Sequence, residues 1–124
     1  MEDQTLIQKG KKKKETFLKE KAVLLILSSG ELGKSFVLDR DEITIGRDSS
    51  CTICLQDPEV SGIHCKITVP GERTFILEDM ESTNGTFLNK KPVKKPVQIF
   101  YSDRIVLGKT VLRFFLEESL SDSI

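Results

Sequence analysis

The sequence predicts an all-β fold, a two-sheet β-sandwich of about eleven strands. Apolar runs are short and broken by Gly, Pro, Ser or Asn at intervals of about eight to twelve residues. Side chains alternate in polarity from Ile63 to Val69, as on a strand with one wet face. No segment carries a long apolar stripe at helical spacing, and residues 11 to 20 offer too few apolar positions for more than a turn or two.

The elements follow in order. Ala22 to Leu27 is a continuous apolar run closed by Ser28-Ser29-Gly30, read as a strand covered on both faces or at the edge of a core. Phe36-Val37-Leu38 follows Gly33, then Ile43-Thr44-Ile45-Gly46, and a polar stretch leads to Cys54-Leu55. In the alternating run, Ile63, Cys65, Ile67 and Val69 share the core face, His64, Lys66 and Thr68 share the other, and Pro70-Gly71 ends the strand. Phe75, Leu77 and Asp79 alternate with Ile76 and Glu78, and Asn84-Gly85 turns the chain into Phe87-Leu88. Ile105 and Leu107 precede Gly108-Lys109, which is followed by Leu112, Phe114 and Leu116. Two residues between alternating runs, Gly first, predict a hairpin with a type II′ turn. Ile45, Ile67, Leu77, Ile105 and Phe114 are the predicted core, and the turn-rich segments 56–62 and 80–86 gather at one end.

The 124 residues suit one domain, with 19 basic and 19 acidic side chains. Residues 1–21 hold seven Lys and four acids, and residues 117–124 hold three acids. The 95 residues between them therefore balance at twelve of each sign. The expected organisation is a lysine-rich flexible leader (1–21), a domain (22–116) and a short acidic tail (117–124). A domain without a basic face is not expected to bind nucleic acid. No run reaches the length of an apolar membrane span and no signal core is visible, so the expected setting is cytoplasmic, with no membrane insertion.

Catalytic and metal chemistries find poor footing. Gly33-Lys34-Ser35 imitates the end of a phosphate-binding P-loop, but Ser28 stands where the first Gly is needed and a strand follows instead of a helix. Gly108-Lys109-Thr110 fails in the same way, with Asp103 in that place. Cys51, Cys54, His64 and Cys65 resemble a zinc set, yet neighbouring strand residues aim His64 and Cys65 to opposite faces, and no second Cys-x-x-Cys is present. Ser61 lies three residues before the sole histidine without a nucleophile elbow. No enzyme activity, metal or cofactor is expected.

What remains is polar chemistry in loops. Gly46-Arg47-Asp48-Ser49-Ser50 places an Arg at the rim, Val60-Ser61-Gly62-Ile63-His64 brings a hydroxyl to a strand start, and Ser82-Thr83-Asn84-Gly85-Thr86 is a turn rich in hydrogen-bonding groups. The guanidinium fork suits phosphate, a Ser hydroxyl with backbone amides completes an oxyanion cradle, and neutral Asn can donate to and accept from a peptide backbone.

In order and spacing these stretches, with Leu77-Glu78-Asp79, Phe87-Leu88-Asn89 and Asp103-Arg104-Ile105-x-Leu107-Gly108, resemble a forkhead-associated (FHA) domain, a phosphothreonine-peptide recognition module, over residues 22–116. The resemblance implies an eleven-stranded sandwich with binding loops at one end. It implies that Arg47 and Ser61 contact the phosphate, that Asn84 holds the peptide backbone, and that Thr83, Ser49, Ser50 and Gly62 line the pocket. Gly46, His64 and Gly85 shape the loops. Gly62 departs from the family pattern, in which Arg often follows this Ser, and removes one ionic contribution. The partner implied is a threonine-phosphorylated protein, with further domains in a longer parent chain. The alternative is a phosphate-independent structural or dimerisation module.

Overall fold

The computed structural model describes residues 22–28 and 30–116; the lysine-rich segment 1–21 and the acidic segment 117–124 lie outside them. Eleven strands form two sheets: β1 (Ala22–Ile26), β2 (Ser35–Val37), β3 (Glu42–Gly46), β4 (Ile53–Cys54), β5 (Cys65–Gly71), β6 (Thr74–Asp79), β7 (Thr86–Leu88), β8 (Lys91–Pro92), β9 (Val97–Ile99), β10 (Arg104–Leu107) and β11 (Thr110–Leu116). One sheet runs β2-β1-β11-β10-β7-β8 and the other β4-β3-β5-β6-β9.

The core is the sum of the inward faces. Ala22, Leu24 and Ile26 of β1 register with Leu116, Phe114 and Leu112 of β11, so one residue in two on each strand enters the interior. All five predicted core residues, Ile45, Ile67, Leu77, Ile105 and Phe114, are fully buried. Phe75 meets Phe114 across the sandwich at 5.1 Å between ring centroids. The run 22–26 is not covered equally on both faces: Val23 and Leu25 are only half-buried.

β3 and β4 pair in parallel, whereas the other described ladders are antiparallel. Expectations around β5 need correction. Pro70-Gly71 are the last two residues of β5 and stay in its ladder instead of forming the turn. The ladder slips between Thr68 and Gly71 in a bulge that absorbs the proline, and the turn falls at Glu72-Arg73, with Arg73 at φ 65°. Ile63 lies 47% exposed because the strand starts only at Cys65, and Val60 occupies the core instead.

The Gly108-Lys109 turn forms as expected, with Gly108 at φ 59° and Lys109 in the ordinary negative region. A second tight hairpin joins β7 to β8 through Asn89 and Lys90, at φ 49° and 75°, the type I′ signature. The Asn89 side chain donates to Asp103 Oδ1 (2.9 Å) and accepts from Arg104 N (3.0 Å), tying this turn to the start of β10.

Candidate phosphopeptide-recognition site

Strand directions bring three connections to one end of the sandwich: residues 47–52 between β3 and β4, 55–64 between β4 and β5, and 80–85 between β6 and β7. Gly46 allows the first two to touch. A Cβ there would stand 2.1 Å from the Gly62 carbonyl oxygen, a distance no side chain tolerates. With that space open, Arg47 N–H donates to Ser61 O and Asp48 N–H to Gly62 O, each at 3.0 Å. The thiol of Cys51 adds a bond to Gly62 O, and that of Cys54 one to Arg47 O.

Arg47 is exposed, and its Nε donates to Val60 O at 2.9 Å. Its two terminal nitrogens make no hydrogen bond among the described residues. Ser61 Oγ accepts the Thr83 amide at 3.0 Å, a contact that leaves the hydroxyl proton to be donated elsewhere. Asn84 Nδ2 donates to Glu59 O at 2.9 Å. Arg47 and Asn84 are therefore tethered to neighbouring carbonyls, on residues 60 and 59, immediately before Ser61. Ser49 and Ser50 sit exposed in the 48–51 turn, which Cys51 N–H closes onto Asp48 O. The structure shows no hydrogen bond from either to the other site residues.

His64 is fully buried and shapes both neighbouring loops. Its Nδ1 accepts the Ser61 amide at 3.0 Å, and its Nε2 lies 2.8 Å from Gly85 O. A carbonyl can only accept, so the proton sits on Nε2 and one tautomer satisfies both contacts. Both ring nitrogens are thereby occupied. Cys65, next in sequence, points into the core, where burial pushes its thiol up to about 12. His64, expected on the face of the strand shared with Lys66 and Thr68, is instead buried, because it precedes the start of β5 and bonds to the two loops.

Two carboxylates brace the site: Asp79, which the sequence offered only as part of the Leu77-Glu78-Asp79 stretch, and Asp57, which no motif singled out. Asp79 accepts the hydroxyls of Ser82 and Thr86, each at 2.6 Å, and the Ser82 amide at 3.1 Å. Ser82 Oγ in turn accepts the Gly85 amide, which fixes the 80–85 turn with Gly85 at φ 88°. Burial alone would raise the Asp79 carboxyl, but these hydrogen bonds prevail and hold it below the ordinary 3.8. Asp57 is also buried, and its carboxyl is likewise held low: the amides of Glu59 and Lys109 and the Thr110 hydroxyl outweigh its desolvation. The visible signal was a short acid at a turn start, Asp57-Pro-x-Val60 and Asp79-x-x-Ser82, the pattern of side chains that cap their own turns.

A two-sheet scaffold thus carries an Arg fork, a hydroxyl and an amide on adjoining loops at one end, the arrangement of a recognition module. The FHA-domain family model matches residues 43–108, and the chain belongs to that family, whose members are non-catalytic phosphopeptide-binding modules of signalling. The chain is 36% identical over 92 residues to mouse (Mus musculus) proliferation marker protein Ki-67, a match covering 74% of this chain and 3% of Ki-67. With the FHA domain-containing protein FhaB of Mycobacterium tuberculosis it shares 30% identity over 89 residues, covering 71% of this chain and 57% of FhaB. The chain thus spans only part of these relatives. Among solved structures, an FHA domain studied for phosphothreonine-dependent interactions superposes with a TM-score of 0.70 at 29% identity, over 77% of this chain and 95% of that one.

Proposed function

We propose that this domain grips an extended peptide at a phosphothreonine, with Arg47 supplying side-chain charge to the phosphate, Ser61 a hydroxyl donor, and Asn84 a clamp on the peptide backbone. One observation carries this reading: the tethers of Arg47 and Asn84 to Val60 O and Glu59 O hold fork, hydroxyl and amide side by side on one three-residue segment. A phosphate with about two negative charges and several acceptor oxygens matches the fork and hydroxyl, while the Asn84 amide oxygen is left to accept from a peptide N–H. Thr83 and the backbone around Ser49, Ser50 and Gly62 form the wall. Binding is reversible, in a cytoplasmic setting, and the partner is a threonine-phosphorylated protein rather than nucleic acid or lipid.

The test is an oriented phosphothreonine-peptide library screened beside its unphosphorylated counterpart. Arg47→Ala is expected to weaken the selected peptide about thirty- to several-hundredfold while circular dichroism stays native. Asn84→Ala is expected to weaken the peptide more than free phosphate, because its proposed partner is the peptide backbone. Equal binding of both libraries, untouched by Arg47→Ala, would replace this reading with a phosphate-independent module.

A further inference from the structure

Every side chain proposed to grip the ligand rests on residues 59–61, and that segment is anchored by an acid on the far side of its turn. Asp57 begins the turn, with Pro58 in the second position and Val60 N–H closing onto Asp57 O at 2.9 Å. The Asp57 carboxylate works in two directions. Oδ1 accepts the Glu59 amide at 2.9 Å within the turn, and Oδ2 accepts both the Lys109 amide and the Thr110 hydroxyl at 2.8 Å from the β10–β11 hairpin of the opposite sheet. Gly108 makes this approach possible: a Cβ there would stand 2.9 Å from Asp57 Oδ2 and 3.1 Å from the Glu59 backbone. The Lys109 ammonium, 3.7 Å from the Glu59 carboxylate, adds an exposed pair along the same seam.

We infer that Asp57 is a positioning residue for phosphopeptide recognition, locking the Glu59–Ser61 segment to the β10–β11 hairpin so that Arg47, Ser61 and Asn84 present their donors in one fixed arrangement. This rests on the phosphopeptide reading above. The Val60 side chain, buried in the core, holds the segment radially, but it makes no directional bond that would fix the carbonyls of residues 59 and 60. The carboxylate supplies that direction. Asn at position 57 keeps the shape but turns an NH2 toward N–H or O–H donors, so at least one of the three contacts becomes donor against donor.

The experiment uses the full chain with Asp57→Asn, and with Thr110→Val as a milder variant that removes one donor and leaves the carboxylate. At a temperature where each variant is folded by circular dichroism, Asp57→Asn is expected to bind the library-selected phosphothreonine peptide about tenfold more weakly, and Thr110→Val less so. In the ligand-free proteins, the Ser61 and Thr83 amide and Asn84 side-chain NMR signals are expected to move. Ile105→Val, which trims the core away from the site, is expected to lower the thermal midpoint without either change. Unchanged affinity in folded Asp57→Asn, or stationary Ser61, Thr83 and Asn84 signals, would overturn the inference. A wild-type protein that ignores phosphopeptide would instead sink the recognition reading, while the ligand-free spectra still decide whether Asp57 sets the segment.

Discussion

Gly46 and Gly62 face each other across the seam between two loops, and the geometry makes opposite demands on them. A methyl at Gly46 would meet the Gly62 carbonyl at 2.1 Å and the Cys51 sulfur at 3.0 Å, so Gly46→Ala must push the loops apart. The expected result is a stability loss of about 1–3 kcal/mol by denaturant titration, together with weaker phosphopeptide binding. A Cβ at Gly62 meets only the Asp48 carboxylate, at 3.7 Å, and its φ is unstrained. Gly62→Arg therefore has room at its Cβ, and it places a cation beside the Asp48 carboxylate. The expected result by calorimetric titration is tighter phosphopeptide binding, by roughly three- to tenfold, weakening as salt is added. Unchanged or weaker binding would show that the phosphate does not approach this seam.

The β7–β8 hairpin offers a test at the scale of one element. Asn89 tolerates the left-handed region and anchors the turn through Asp103 and Arg104, whereas Lys90, at φ 75°, bears a side chain where glycine is preferred. Lys90→Gly relieves about 1–2 kcal/mol of backbone strain and surrenders about 0.5–1 kcal/mol of chain entropy, so a small rise in thermal midpoint is expected. A fall would mean that Lys90 makes a compensating contact. Neither this hairpin nor β9 was anticipated from the sequence. Lys91-Pro92 has no inward residue to alternate with, and Val97-Gln98-Ile99 is too short to register a period of two. A lysine and a proline suit the exposed edge strand they form, where they discourage pairing with another chain. The long strands were legible because burial imposes a strict alternation on them. Ile63 misled because the alternating pattern begins two residues before the strand itself, which starts at Cys65 after the bend at residues 62 and 63.

At the scale of the described domain, stability combines an apolar interface between two sheets with two carboxylates fastening the loops. Phe114 is fully buried against Phe75, and Phe114→Ala is expected to cost about 3–5 kcal/mol, well above any surface change. Asp57 and Asp79 are both held below 3.8 in the folded state. Depressed carboxyls stabilise the fold fully above their unfolded value, and that contribution is lost as pH falls through the lower, folded value. The thermal midpoint should therefore drop as the solution is acidified below about pH 4. Asp57→Asn should flatten the drop. The proposed site residues, Arg47, Ser61 and Asn84, stood out in the sequence as chemistry that the scaffold does not need. The tethering of Arg47 and Asn84 to the carbonyls of residues 60 and 59 did not, because it depends on which backbone carbonyls the folded loops leave pointing at the rim. The most direct measurement is an NMR titration of the labelled domain with a phosphothreonine-peptide pool and with the same pool unphosphorylated. The phosphorylated pool is expected to shift the Arg47 Nε–H, the Ser61 and Thr83 amides and the Asn84 side chain, and the unphosphorylated pool to leave them in place. Shifts confined to another face, or equal shifts from both pools, would contradict phosphothreonine recognition by these loops.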